Sequence, residues 1–162
     1  MIKRLHHSAY RCRDSEETRR FYEDFLGLPL ACALTIEQSK TGRHMQALHT
    51  FYRLEDGSYL AFFDVPAMPF EFKSQHDFDL HIALEVDTTT LEAMCRRGRA
   101  LGIPTRGISD HEFIHSVYFQ DPNGYVGELA AKQPRHEEMM EHARIGARLE
   151  LQRWQELQSR QP

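Results

Sequence analysis

The chain has 162 residues, 41% of them hydrophobic and 27% charged, which suits one ordinary domain with its own core and excludes global disorder. A formal net charge of -4 argues against a nucleic-acid footprint. The apolar runs are too short for a membrane span, and Met1-Ile2-Lys3-Arg4-Leu5-His6-His7 lacks the apolar stretch of a signal peptide. A cytoplasmic protein with no membrane or nucleic-acid partner is therefore expected. Cys12, Cys32 and Cys95 are scattered without CxxC spacing, so they form neither a disulfide framework nor a zinc motif. Ten histidines stand out, since histidine is the commonest metal ligand and a frequent acid or base.

In chain order, a strand is predicted at 5–12. Asp14 then caps a helix, with Glu17 completing a capping box, and Phe21, Phe25 and Leu26 forming one face with Thr18 and Tyr22 near them. Gly27 stops that helix and Pro29 prevents its continuation. Strands follow at 30–36, 46–54 and 58–64, the last two joined at Asp56-Gly57. This dipeptide signals a hairpin turn whose two central residues take positive φ. The proline-rich stretch 66–72 reads as a crossover loop. A strand at 79–86 leads to a second helix, with Asp87 where it should begin and Thr89 and Glu92 as its capping box. Leu91, Met94, Cys95 and Leu101 make its inner face, and Gly102 ends it. Strands at 105–108, 114–120 and 125–131 follow, the last pair about the turn Asn123-Gly124. The tail reads as one amphipathic helix, 135–160, with Met140, Ile145, Leu149 and Trp154 facing inward.

These elements repeat. Leu5-His6-His7-Ser8-Ala9 matches Leu80-His81-Ile82-Ala83, and Leu26-Gly27-Leu28-Pro29 matches Leu101-Gly102-Ile103-Pro104. Both copies place His-x-Ala before a helix that starts near an Asp. Asp56-Gly57-Ser58-Tyr59-Leu60-Ala61 aligns with Asn123-Gly124-Tyr125-Val126-Gly127-Glu128. Each copy therefore runs strand, helix, then strands ending in a hairpin.

The repeat makes His7 and His81 equivalent and puts Glu128 beside the strand that starts the second copy. Two histidines and one carboxylate on strands suit a facial triad for Fe(II) or Mn(II), with open positions for substrate and oxygen. Ala61 occupies the fourth corner and cannot coordinate, so three protein ligands are expected. His6 competes with His7. Strand alternation lets only one of them face a cleft, and the His-x-Ala match favours His7.

The motifs His7-x6-Asp14, Arg20-Phe21-Tyr22-x3-Leu26-Gly27 and Asp121-Pro122-Asn123-Gly124-Tyr125-x2-Glu128-Leu129 resemble the vicinal oxygen chelate superfamily. That superfamily includes glyoxalase I, bleomycin- and fosfomycin-resistance proteins and extradiol dioxygenases. The resemblance covers about residues 4–132. It implies an α+β fold, with paired β-α-β-β-β modules forming a curved mixed sheet around a metal cleft. Residues 1–132 would be a single domain of two modules, 4–66 and 77–132, and 133–162 a C-terminal helical extension. The metal ligands would be His7, His81 and Glu128.

Ala61 stands where glyoxalase I carries an extra ligand, which counts against a glutathione-dependent isomerase. Extradiol enzymes carry a Tyr ten residues before the Glu ligand, where this chain has Tyr118, and an acid-base His upstream, for which His111 and His115 are the local candidates. They also carry a His on the strand aligned with 57–62. None stands there, and His44, His49 or His76 would replace it only if the fold brings one inward. Few strand-borne Lys and Arg disfavour a highly anionic phosphonate, and the intact His, His, Glu set disfavours a metal-free drug binder.

The expected function is an Fe(II) extradiol-type dioxygenase acting on a small catechol-like or aromatic molecule, with Mn, Zn, Ni or Co as other candidate ions. A divalent-metal lyase or isomerase acting through an enolate is the alternative, and a metal-free small-molecule binder the second. A homodimer is expected, because modules of this superfamily pair within or between chains and helix 135–160 has an apolar stripe that the two-module core leaves unexplained.

Overall fold

The structure is a computed structural model that describes residues 1–38, 42, 44–74 and 76–159. Its eight strands and three helices form two β-α-β-β-β modules and a C-terminal helix. The first module contains β1 (His7–Cys12), α1 (Ser15–Arg19) continuing into a π-helical turn (Arg20–Phe25), β2 (Leu30–Gln38), β3 (His44–Arg53) and β4 (Tyr59–Asp64). The second contains β5 (His81–Glu85), α2 (Thr88–Ala100), β6 (Thr105–Asp110), β7 (Ile114–Gln120) and β8 (Val126–Lys132), and α3 (His136–Gln158) follows. Each module builds a four-stranded sheet, in the orders β1-β4-β3-β2 and β5-β8-β7-β6. The expected helix end at 160 and the last residues of the extension lie outside the described residues. No helix among the described residues is long and apolar enough to cross a membrane.

The contacts divide into two compact units. The first is Met1–Ile82 with Phe119–Gly127, and the second is Ala83–Tyr118 with Glu128 onward. In the first unit β1 runs parallel to β4, and β3 is antiparallel to both β2 and β4. The π turn buries Phe21, Tyr22 and Phe25 together. The Tyr22 ring packs 4.6 Å from Phe62 and 5.6 Å from Tyr52, and Phe25 meets Phe119 edge-on at 5.1 Å. Burial pushes the Tyr52 phenol up to about 12 and the Cys12 thiol up to about 11, so both stay neutral core groups at physiological pH. In the second unit Leu91, Met94 and Cys95 of α2 are buried, as are Val117, Leu129 and Ala131 of the sheet.

Capping follows the sequence for α1, where Asp14 accepts from the Glu17 amide. The reciprocal half of the box is not made: the Glu17 carboxylate pairs with Arg13 instead. For α2 the cap is Asp87, which accepts from the Thr90 amide, and not Thr89, which lies inside the helix. Gly27 at φ +83° and Gly102 at φ +69° end the helices as expected.

The hairpin turns differ from expectation. Among the described residues Glu112 is the only non-glycine with positive φ, so Asp56 and Asn123 do not take the left-handed conformation. The loops close one residue wider. The Leu54 amide bonds the Ser58 carbonyl and the Gly57 amide bonds the Leu54 carbonyl, and Asp121, Tyr125 and Gly124 repeat the pattern. Only the glycine then needs positive φ. At Gly124 a Cβ would also meet the Lys73 carbonyl oxygen at 2.5 Å.

The second of these turns is anchored by a buried polar hub. Asp121 and Asn123 are 2% and 1% exposed. The Asp121 carboxylate accepts from the Tyr22 hydroxyl, the Asn123 amide nitrogens and the Tyr125 backbone. The Asn123 side chain accepts from the Arg13 backbone and donates to Thr18. Burial raises the Asp121 pKa, against these donors, which lower it.

α3 corrects a further expectation. It has no buried residue, and Met140, Ile145, Leu149 and Trp154 are all exposed rather than turned inward.

Replacing Asp121 by Ala should lower stability by about 2–4 kcal/mol, because it strands several buried donors at once. Chemical denaturation at pH 7 would show this as a lower midpoint with little change in slope.

Candidate metal and substrate site

Strand register decides which side chains share a face. In the first sheet His7 pairs with Tyr59, Ala9 with Ala61, Phe51 with Ala61, and His49 with Phe63. Directly paired residues point to the same side, so His7, His49, Phe51, Tyr59, Ala61 and Phe63 share one face. The opposite face carries Phe62, Leu60, Tyr52 and Cys12 of the core. Ala61 lies on the His7 face and offers only a methyl group.

His7 opens β1 and is exposed. Its Nδ1 lies 2.8 Å from Nδ1 of His6, so one ring donates to the other. The two rings meet edge-on at 5.1 Å. Alternation does not separate them, because β1 begins at His7 and His6 precedes the strand. His49 is 8% exposed, stacked on Phe63 at 3.6 Å and 4.2 Å from Phe51. Of the three histidines named for an inward role, His76 instead accepts from the Phe78 amide, and the side chain of His44 lies outside the described residues.

His81 opens β5, and its Nδ1 is 2.7 Å from the Asp77 carbonyl oxygen. A carbonyl only accepts, so Nδ1 carries the proton and Nε2 carries the lone pair. Hydrogen bonding at the other ring nitrogen is how a ligating histidine is normally oriented.

Glu128 on β8 is 5% exposed, and its Oε1 accepts from the Ser116 hydroxyl. Ser116 and Tyr118 alternate onto the same face of β7, whereas His115 shares the other face with buried Val117 and Phe119. His115 Nε2 lies 3.5 Å from Asp110. His111 Nε2 lies 3.0 Å from the Tyr118 hydroxyl, and the Arg106 guanidinium sits 4.4 Å above the Tyr118 ring. Burial, and then the neighbouring Glu128 charge, push the Tyr118 phenol above its ordinary value. The structure thus brings Tyr118, His111, Ser116 and Glu128 together and sets His115 apart from them. Ser116 and Arg106 were not legible as site residues, since a strand Ser and a strand Arg carry no signal without the register.

A family model described as Glyoxalase/Bleomycin resistance protein/Dioxygenase superfamily matches residues 4–129, from before β1 into β8. The chain belongs to this superfamily. Solved structures of similar fold include the fosfomycin resistance protein FosX of Listeria monocytogenes complexed with Mn(II) and sulfate. It is 18% identical with a TM-score of 0.63, over 85% of this chain and 98% of that one. The trypanothione-dependent glyoxalase I of Leishmania major is 20% identical with a TM-score of 0.63, over 92% and 98%. TnmS3, an antibiotic binding protein from Streptomyces sp. CB03234, is 20% identical with a TM-score of 0.59, over 82% and 98%. No curated protein matches the sequence. At these identities the likeness is one of fold, and the superfamily spans metal enzymes and binding proteins alike.

Among the described residues, no three His, Cys, Asp or Glu side chains are already gathered as a metal cluster. Taken one by one, His7, His81 and Glu128 have donor chemistry that suits a divalent ion. His81 has its Nδ1 committed to a carbonyl, His7 has its Nδ1 against His6, and Glu128 is a buried carboxylate oriented by a serine.

Proposed function

We propose that the protein is a metal-dependent enzyme, an Fe(II) extradiol-type dioxygenase acting on a small catechol-like or otherwise aromatic substrate. His7, His81 and Glu128 would hold the ion. The observation that carries this reading is the Tyr118–His111 hydrogen bond, which joins a phenol to an imidazole on the face of β7 that reaches Glu128. When bound, the ion supplies Lewis acidity toward two neighbouring substrate oxygens, and iron adds electron transfer to oxygen.

The chain's own residues then divide the remaining work. The Ser116 hydroxyl holds the Glu128 carboxylate in one orientation. The Tyr118 phenol, kept protonated by its burial and by Glu128, donates to a substrate oxygen. With that proton directed at the substrate, His111 donates its Nε2–H to the phenol oxygen, and a proton that Tyr118 gives up is replaced from His111 without movement of a heavy atom. His115 has Asp110 as its partner and lies on the other face of β7 from Tyr118.

The runner-up is a lyase or isomerase that uses the same three ligands and the same phenol to stabilise an enolate. The first experiment is the identity of the metal retained on purification, together with oxygen uptake on a panel of catechols. Iron with uptake supports the dioxygenase. Mn, Ni, Co or Zn without uptake supports the lyase or isomerase, and tight ligand binding without metal would support a binding protein.

We also propose a homodimer. α3 exposes Met140, Leu151, Trp154 and Leu157, an apolar surface suited to a second copy of this chain.

Three outcomes are expected. His81→Ala should abolish metal retention measured by elemental analysis while leaving the far-UV circular dichroism unchanged. Tyr118→Phe should keep full metal content and lower kcat/KM by about 10–100-fold, the loss of one hydrogen bond to a charged group at roughly 1.5–3 kcal/mol. Sedimentation at micromolar concentration should give the mass of two chains, and a single-chain mass would remove the dimer.

A further inference from the structure

His49 is a buried polar group that the proposed chemistry leaves unused. It sits in β3 between aromatic neighbours, on the face that carries His7. Its Nδ1 is 3.1 Å from the Phe62 carbonyl oxygen, which can only accept, so Nδ1 bears the proton and the neutral ring presents Nε2 as an acceptor. Among the described residues Nε2 has no hydrogen-bond partner, yet it is not among the fully sealed atoms that lack one. A largely buried acceptor that still reaches the surface calls for a donor from outside the chain.

The spacing to His7 limits what that donor is. The two ring centroids are 6.4 Å apart. A metal–nitrogen bond of about 2.1 Å puts an ion about 3.2 Å from a ring centroid, so two rings on one ion at right or tetrahedral angles have centroids roughly 4.5–5.2 Å apart. At those angles His49 is too far from His7 to share an ion, and only two rings on opposite sides of one ion would stand as far apart as these. A substrate lying against His7 would meet His49 on the same face of the sheet. The flanking rings of Phe51, Tyr59 and Phe63 are only half-buried and present an aromatic wall. Such a wall suits a ring better than a sugar or an aliphatic acid.

We propose that His49 is a substrate-contacting residue whose Nε2 accepts a hydrogen bond from a hydroxyl group on an aromatic ring packed against Phe51 and Phe63. The substrate class is therefore a hydroxylated arene. This rests on the reading of the His7 face as the substrate side, and it does not require that a metal be bound.

The test uses two probes of one shape, catechol and 1,2-dimethoxybenzene, titrated without oxygen into the purified full chain, both metal-loaded and chelator-treated. His49→Phe keeps the stacked ring and removes the acceptor. It should weaken catechol binding by about 10–100-fold, leave dimethoxybenzene within about 3-fold, and leave metal content unchanged. His49→Gln, which restores an acceptor, should regain part of the loss. In the unaltered protein, the nitrogen resonances of His49 should report an Nδ1-protonated ring whose Nε2 shifts with catechol and not with the dimethoxy probe. Equal weakening of both probes, unchanged catechol affinity in His49→Phe, or an Nε2 signal indifferent to catechol would overturn the proposal. A catechol preference that depends on His49 in protein that retains no metal would uphold it while removing the metal-enzyme reading.

Discussion

The buried carboxylate of Asp121 is the constraint on which the rest of the site depends. It gathers the Tyr22 hydroxyl, the Asn123 side chain and two backbone amides at one turn. Leaving these donors without an acceptor inside the core would cost more than most single packing contacts. The turn is therefore tied to α1 through Tyr22, Thr18 and the Arg13 backbone. β7 and β8 leave this anchored point in opposite directions along the chain and carry Tyr118 and Glu128. A one-residue slip of β7 would turn Tyr118, and one of β8 would turn Glu128, to the wrong face.

The second recurring device is the hydrogen-bonded imidazole. His81 and His49 each commit Nδ1 to a backbone carbonyl, which decides the tautomer. His7 is hydrogen-bonded through its Nδ1 to its neighbour His6, either ring being able to donate. On β8 the same task falls to Ser116, which aims the Glu128 carboxylate. The groups proposed to meet a ligand are thus each held from behind. Such support keeps a site in register when a ligand enters.

Much of this was legible in the sequence, and the reasons are specific. Helix starts and stops could be read because Asp14, Gly27 and Gly102 act through local backbone chemistry. The repeat could be read because both modules keep His-x-Ala and a Gly-containing turn at matching distances. The α2 cap was misplaced because Asp87 and Thr89 are both good capping residues, and only the backbone at Asp87 is extended. The turn type was misjudged because Asp-Gly and Asn-Gly serve two loop lengths, and the aspartate side chains here stabilise the longer one. The inward face assigned to α3 failed because amphipathic spacing reports a stripe and not what covers it. His49 could be named only as one of three candidates, since its face depends on pairing with Phe63 across a loop of sequence that pattern alone does not register.

The most direct measurement is X-ray absorption at the edge of whatever metal co-purifies with the full-length chain. One ion per chain is expected, bound by two imidazole nitrogens and one carboxylate, with the remaining positions filled by light oxygen scatterers that catechol replaces. A coordination shell without imidazole, or the same two-imidazole shell persisting after His7 and His81 are both replaced by alanine, would contradict it.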